Sequence, residues 1–348
     1  MLSEKVLFAI NNLDSKQIEE TGLRMGYIKS RTSKKYTGNL KRAIVLAAVV
    51  AAFLAIGLTA YAASKLWSKS MQQQVQATEQ QERQLENNGM ASVFTGEEGA
   101  VSCNGVTIKP LELIVDEYNI RLSFSIDGLE LESGFEPCIM AWDWYVGDDP
   151  SSGRLNGSGG FWFEIGEDGK PNFTNSDGVL EYNLGLSGKY PDKPVLGQTL
   201  HIKFTGLGLA KKLEQTQTVE GEWSFEFELP KECPTISYTV NTPVEGTELT
   251  MKTVELSPLS IIIEYSRSGS GDPAEGIDTM PIIFHLKMDD GSFIKNISNG
   301  GSAGYTDNSY SIVYNASSLT QVIDPARITA VILAQLDDKS KTIEIAIR

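Results

Sequence analysis

"IRLSFSI", Ile120–Ile126, sets Ile120, Leu122, Phe124 and Ile126 at every second position with polar residues or arginine between them. In an extended chain successive side chains point to opposite faces, so this spacing gathers the four apolar groups on one side of a strand. "EWSFEFEL", Glu222–Leu229, does the same with Trp223, Phe225, Phe227 and Leu229, and "HIKFTGLGL" from His201 is a further candidate. These are half-buried antiparallel strands. Such runs recur with Gly, Asp and Asn between them and without a long helical period, which predicts a β-sandwich over residues 101–231. A second is predicted over 232–348, from pieces such as "ELTMKTVELSPLSIIIEYS", "MPIIFHLKMDDGSFI" and "ARITAVILAQL". Within it "DDGS", Asp289–Ser292, is a hairpin turn because Asp-Gly supplies positive φ, and Pro325 marks a turn leading into a strand.

Working back from these domains, residues 64–100 are polar and Gln-rich ("MQQQVQATEQQERQLENN") with no Gly or Pro before Gly89. Their apolar positions are sparse, so a solvated helical stalk or a weak coiled coil is expected. Before the stalk lies "AIVLAAVVAAFLAIGLTAYAA", Ala43–Ala63, 21 residues without a charge. At ~1.5 Å per residue such a helix crosses the ~30 Å hydrocarbon core. Residues 1–42 hold nine Lys and Arg against four acids, a net +5, so the rest of the chain carries −20 of the net −15. The positive-inside rule then places 1–42 in the cytoplasm and 64–348 outside the cell membrane, as a single-pass protein. A cleaved signal peptide ending at Ala60-Tyr61-Ala62 is the rival, disfavoured by the 42 residues that precede the apolar run.

The acidic remainder argues against nucleic acid as a partner. Cys103, Cys138 and Cys233 are too few and scattered for a disulfide scaffold or zinc site, although one pair, Cys103 with Cys138 nearest in sequence, could bridge in an exported domain. His201 and His285 sit in strand-like runs without ligand-spaced partners, so no metal, cofactor or catalytic residue is assigned. Neither a P-loop nor a dinucleotide fingerprint occurs, and nothing suggests a Ser-His-Asp arrangement.

Two stretches suggest binding. Met140–Phe173 combines Trp142, Trp144, Tyr145, Phe161, Trp162 and Phe163 with a Gly/Ser run and the acids Asp148, Asp149, Glu167 and Asp168. Exposed, these rings and acids could stack sugars or hold Ca²⁺, making Trp142, Trp144, Tyr145 and Trp162 a candidate ligand surface. The favoured reading has Trp142, Trp144, Phe161 and Phe163 as inward faces of two paired strands, with the Gly/Ser run as their loop. At the other end, Val6, Leu7, Ile10 and Leu13 form a helical stripe. Asp14 and Gln17 suggest a capping box opening a second helix with Ile18 and Met25 on one side. Two helices this short cannot fold alone, and the stripe calls for a partner groove or a membrane surface.

"LFAINNLDSKQIEETG", Leu7–Gly22, followed by a basic run and one span, resembles the start of the short, zinc-free membrane-anchored anti-sigma factors of Firmicutes, which commonly carry an external immunoglobulin-like domain of unknown function. "NGVTIKPLELIVDEYNIRLSFSI" (Asn104–Ile126) resembles the opening strands of that domain, "VEGEWSFEFELP" (Val219–Pro230) its closing strand, and "LTMKTVELSPLSIIIEY" (Leu249–Tyr265) the β-domain that often follows. The resemblance implies a non-enzymatic regulator. Its helices, through Val6, Leu7, Ile10, Leu13 and Ile18, would sequester an extracytoplasmic-function sigma factor, and its external immunoglobulin-like sandwiches would receive a signal from a cell-envelope ligand or protease. The His-x3-Cys-x2-Cys zinc motif of the better-known group is missing, since residues 1–102 contain neither His nor Cys. The alternative is a surface-anchored adhesion or glycan-binding module with no sigma partner.

Overall fold

The computed structural model describes residues 67–348, except 176–177, 193, 213, 269–276, 278–279, 296, 307–308 and 336–339. The apolar run Ala43–Ala63 and the stripe Val6, Leu7, Ile10, Leu13 and Ile18 lie outside the described residues. Among those described, no helix is long and apolar enough to cross a membrane.

The described chain is mainly β. Its first unit comprises β1 (Ala91–Val93), β2 (Val101–Cys103), β3 (Val106–Val115), β4 (Asn119–Asp127), β5 (Glu136–Val146), β6 (Asn156–Phe161), a small hairpin of β7 (Glu164–Ile165) and β8 (Pro171–Asn172), then β9 (Leu180–Ser187), β10 (Thr199–Lys211) and β11 (Glu214–Glu228). One sheet runs β1-β3-β4-β9-β6, with β2 also on β3, and the facing sheet runs β11-β10-β5. The second unit comprises β12 (Ile236–Pro243), β13 (Leu249–Leu256), β14 (Ser260–Arg267), β15 (Ile282–Met288), β16 (Phe293–Lys295), β17 (Ser298–Tyr305), β18 (Ile312–Leu319), β19 (Ile328–Ala334) and β20 (Thr342–Ala346). Its sheets run β12-β13-β14-β18-β17 and β16-β15-β19-β20. The same topology is thus used twice. The order β3-β4-β9-β6 corresponds to β13-β14-β18-β17, and β11-β10-β5 to β20-β19-β15.

Each unit closes on one apolar cluster drawn from both of its sheets. Ile120, Leu122, Phe124 and Ile126 of β4 all enter the first cluster, and Trp223, Phe225 and Phe227 of β11 meet them from the other sheet. The ladder β10–β11 keeps β11 half-exposed, its glutamates alternating with the buried rings. In the second unit Gly291 takes φ +82° in the turn between β15 and β16, where Met288 N donates to Ser292 O. Pro325 opens a 3-10 turn, capped by Asp324, immediately ahead of β19.

The expected stalk does not stand free over its described part. α1 (Lys69–Val75) is capped by Ser68, and α2 (Glu79–Asn87) carries a capping box of Thr78 with Gln81. Their few apolar residues, Trp67, Met71, Val75 and Leu85, share one cluster with Met90, Ile114 of the first unit, and Leu259 and Val322 of the second. Too sparse to make a core of their own, they complete one whose other walls are two β-units. A bulge in β3 supplies the first wall. The β3–β4 register shifts between Pro110 and Glu112, so Val106 and Ile108 before it, and Leu113 and Val115 after it, face inward. That parity change turns Glu112 and Ile114 outward beneath the helices, since each added residue reverses a strand's faces. Val322 supplies the other wall: its N–H donates to Val75 O at 2.8 Å, and its carbonyl accepts from Gln81 Nε2 at 2.7 Å.

The two units also clasp each other directly. Asp116, fully buried in the β3–β4 turn, accepts on Oδ1 from the backbone N–H of Tyr118 (3.0 Å) and Asn119 (2.7 Å). Its Oδ2 accepts from Ser257 Oγ at 2.5 Å. Ser257 lies in the corresponding β13–β14 turn, where its Oγ accepts from Leu259 N and Ser260 N. One carboxylate and one hydroxyl therefore close both turns and join them.

Asp116→Ala is expected to cost roughly 2–4 kcal/mol and Ser257→Ala roughly 1–3 kcal/mol, because each leaves buried donors or acceptors unpaired. In a chemical-denaturation cycle the double variant should lose about 1 kcal/mol or more less than the sum. Strict additivity would show that the two turns are not energetically joined.

Candidate functional site

A cleft of about 780 Å³ lies between the outer faces of the two units. β4, β6 and β9 of the first unit line one side, β14, β17 and β18 of the second line the other, and Gln73 and Gln74 of α1 close one end. β6 and β17 are both edge strands, and both are built of Gly and Ser ("NGSGGF", "SNGGSAGY"). Of the Gly/Ser run expected to be a loop, the first part does turn, with Gly153 N donating to Asp149 O, and the part from Asn156 onward is strand β6. Glycine is required there by close packing: a Cβ on Gly157 would stand 2.4 Å from Gly185 O, and one on Gly159 2.1 Å from the Tyr182 hydroxyl. Gly160, on the opposite face, has nothing within 4 Å of its Cβ position and opens to the cleft.

The charge of the cleft is unlike that of the chain. Among the described residues, none that lines it is Asp or Glu, although the chain holds 45 of them; its cations are Arg121 and Lys189. Arg121 projects from the outer face of β4 and is only 7 % exposed. Its Nη2 donates to Ser318 Oγ of β18, across the gap between units. No carboxylate among the described residues forms an ion pair with it. Burial lowers its pKa, and the charge of Asp116 opposes that shift. A guanidinium nevertheless remains protonated in proteins. Gly185 makes room for it, since a Cβ there would stand 2.8 Å from Arg121 Nη1. At the rim Tyr190 packs edge-on against Tyr118 and Tyr314 and donates its hydroxyl to Glu264 at 2.8 Å. Sequence reasoning missed Arg121, which reads as one polar position of an alternating strand. The available signal was an arginine in a row otherwise made of serines.

The four aromatic residues named from sequence do not form one surface. Trp142 and Trp144 lie on β5, stacked at 5.7 Å, and Trp142 is 48 % exposed while Trp144 is buried with its indole N–H on Leu155 O. Both lie on the same side of the sheet as their buried partners Phe204 and Ile202. Trp144 is covered by Leu155, which enters the same core cluster, whereas Trp142 lies outside that cluster. Tyr145 faces the other way and stacks on His201 at 4.6 Å. Trp162 follows β6 and lines the cleft, its indole N–H donating to Gln73 Oε1 at 2.9 Å. β5 and β6 belong to different sheets, so the expected pairing of the strands carrying Trp142/Trp144 and Phe161/Phe163 does not occur. Phe163 is half-exposed beside Phe173.

The remaining candidates settle into structural places. His201 sits 3.3 Å from Glu226 through Nδ1, and His285 stacks on Phe284. All three cysteines are free, including the Cys103 and Cys138 that could have bridged. Burial raises the Cys138 and Cys233 thiols, away from the thiolate that reactivity requires. Asp148, Asp149, Glu167 and Asp168 do not converge: among the described residues no group of three or more His, Cys, Asp or Glu is placed to hold a metal ion.

Acids do gather on the far side of α1, under the helices. Glu112 is buried, accepting from Ser68 N at 2.6 Å, Ser68 Oγ at 3.0 Å and Ser123 Oγ; desolvation raises its pKa against those hydrogen bonds. Glu82 is also buried, its Oε2 has no partner, and desolvation with the charges of Glu86, Glu79 and Glu112 brings its pKa to about 7. In the second unit desolvation and Glu117 raise Glu255 to about 7.

No family model matches the chain, and no curated protein matches it. Among solved structures, the crystal structure of the conserved domain protein from Bacillus anthracis aligns with a TM-score of 0.47 and 15 % identity, over 76 % of this chain and 94 % of that one. So distant a likeness carries no functional inference.

Gly159→Ala is expected to lower stability by roughly 1–3 kcal/mol through overpacking against Tyr182, whereas Gly160→Ala should be nearly neutral; equal melting temperatures for the pair would contradict the packing. For Glu82 the folded pKa lies above the unfolded value, so the folded state holds the extra proton and stability falls as pH rises from about 4.5 to about 7. Glu82→Gln should therefore raise stability by roughly 1–2 kcal/mol at pH 8 and change it little at pH 4.5, as read by thermal unfolding at both values.

Proposed function

We propose that this chain is a membrane-anchored regulator that sequesters an extracytoplasmic-function sigma factor through residues 1–42 and receives an external signal through two immunoglobulin-like sandwiches. One observation carries the sensing half. α1 and α2, which follow the apolar run almost directly in sequence, are packed into both sandwiches through Trp67, Met71, Val75 and Leu85. A change in how the sandwiches sit is thereby felt at the residues that lead into the span. The immunoglobulin-like label is supported by strand order. With strands lettered A to G from β3 and from β13, each unit contains A-B-E-D and G-F-C, the constant-type arrangement, with β1 and β2, or β12, added beside strand A and β16 beside strand C of the second.

On this reading the stripe of Val6, Leu7, Ile10, Leu13 and Ile18 buries against the sigma factor and hides surfaces it needs for polymerase or promoter. Release follows an external event, with proteolysis the simplest route, because one transmembrane helix has few ways to convey a conformation. The exposed Trp142 stacked on Trp144 favours a second reading, a surface-anchored glycan-binding module without a sigma partner.

Co-purification of the whole chain with co-expressed sigma factors separates the two. The wild-type chain should retain one sigma factor and silence its reporter, and Leu7→Asp with Ile10→Asp should release it and restore transcription. Unchanged transcription and binding in the double variant would sink the regulatory reading.

A further inference from the structure

We infer that the cleft between the two sandwiches is a binding site for a small, hydroxyl-rich anion, a sugar bearing a carboxylate or a phosphate, with Arg121 as the partner of its oxyanion. The inference deepens the proposed function and rests on that reading only for the sense in which such a ligand is a signal.

The first reason is the unmatched charge. A buried cation is costly unless paired, yet Arg121 has one hydroxyl, Ser318, as its side-chain partner, and no ion pair among the described residues. Asp116, the carboxylate that acts on it electrostatically, is committed to its own turn and to Ser257. A guanidinium offers five N–H donors in a planar fork that matches carboxylate and phosphate oxygens. Glycine at 185 keeps that fork clear, because a Cβ would abut Nη1. The second reason is the exclusion of acids. A chain with a net charge of −15 has a cleft whose described lining contains no carboxylate. Its second cation, Lys189, is exposed and paired at 3.9 Å with Asp192 outside that lining, which leaves Arg121 as the cation without a carboxylate among the described residues.

The walls define the rest of the ligand. Hydroxyls from Ser158, Ser187, Ser302 and Ser317 and amides from Gln73 and Asn183 line the cleft. Gln74 also lines it and has an Oε1 without a partner. Phe163 adds an exposed apolar ring. Such walls suit the many hydroxyls and one apolar face of a sugar ring, and about 780 Å³ falls within the range of small-molecule sites. Because the lining comes from both sandwiches, the ligand would bridge them at the same junction that holds α1.

Isothermal titration calorimetry on the purified whole chain in nanodiscs tests this with four probes: glucuronate, glucose 6-phosphate, glucose and inorganic phosphate. At least one sugar anion should bind, at least tenfold more tightly than glucose or phosphate alone, and whichever anion is preferred identifies the oxyanion. Gly160→Asp adds a carboxylate at an open position and should weaken that binding at least tenfold without lowering the melting temperature; Ser158→Asp, on the same outer face, serves if the first variant is destabilised. Arg121→Lys should weaken binding as well. Failure of both sugar anions to bind, equal binding of glucose or phosphate, or unaltered affinity in the folded Asp variants would each overturn the inference. Since no sigma factor is present, a negative result here leaves the sigma pull-down free to succeed, and the reverse.

Discussion

The architecture depends on one buried carboxylate. Asp116 can remain in a dry turn because each oxygen is supplied with donors: backbone and side-chain N–H groups on Oδ1, and a hydroxyl from the other sandwich on Oδ2. Such bonds are net modest when made and expensive when left unmade. Once β3–β4 is closed around Asp116, the position of the β13–β14 turn is therefore constrained through Ser257. The outer face of β14 then stands opposite the outer face of β4. That opposition creates the cleft, covers Arg121, and brings Leu259 to where Trp67, Met71 and Leu85 can close over it.

The two turns that meet join corresponding strands of a repeated topology. "TIKPLEL", Thr107–Leu113, and "TMKTVEL", Thr250–Leu256, occupy corresponding strands, and each carries a register shift at its centre. In β13 the shift between Met251 and Thr253 lets Leu249 and Met251, then Val254 and Leu256, face inward, as the bulge in β3 does for its own residues. In the first unit the bulge has a further use, since it presents Ile114 and Glu112 to the helices. The same local device thus serves packing in one copy and both packing and attachment in the other.

How much of this was legible in the sequence follows from which forces leave a local pattern. Burial of one strand face leaves a period of two, so β4, β10 and β11, the Asp289–Ser292 turn and the turn at Pro325 can be read directly. Burial of the second face leaves none. Arg121 and Ser123 look like solvent positions because their cover comes from residues far away in sequence, and α1 and α2 look like a free stalk because their core is borrowed. β6 was obscured for another reason: Gly157 and Gly159 are chosen by backbone and ring contacts that a Cβ would violate, and the resulting composition imitates a loop. Trp142 and Trp144 share one strand and one spacing but differ in exposure, because Leu155, beyond the turn after β5, covers Trp144, and spacing along a strand does not reveal that cover.

The setting of the cleft shapes how an anion would be selected there. The acidic chain sets up a repulsive field, but at physiological salt that field decays over about 8 Å, whereas Arg121 sits behind low-dielectric walls where a direct contact is far less screened. Approach is therefore discouraged for anions in general, and retention is favoured only for one that reaches the guanidinium. A ligand able to do so must also satisfy hydroxyls and amides from both sandwiches, which a simple ion cannot. By filling the gap it would add bonds across the same interface that Asp116 and Ser257 hold closed, and α1 and α2 would be held more firmly at that junction. Occupancy and the rigidity of α1 and α2 would then be coupled by geometry alone, without any need for the sandwiches themselves to change fold.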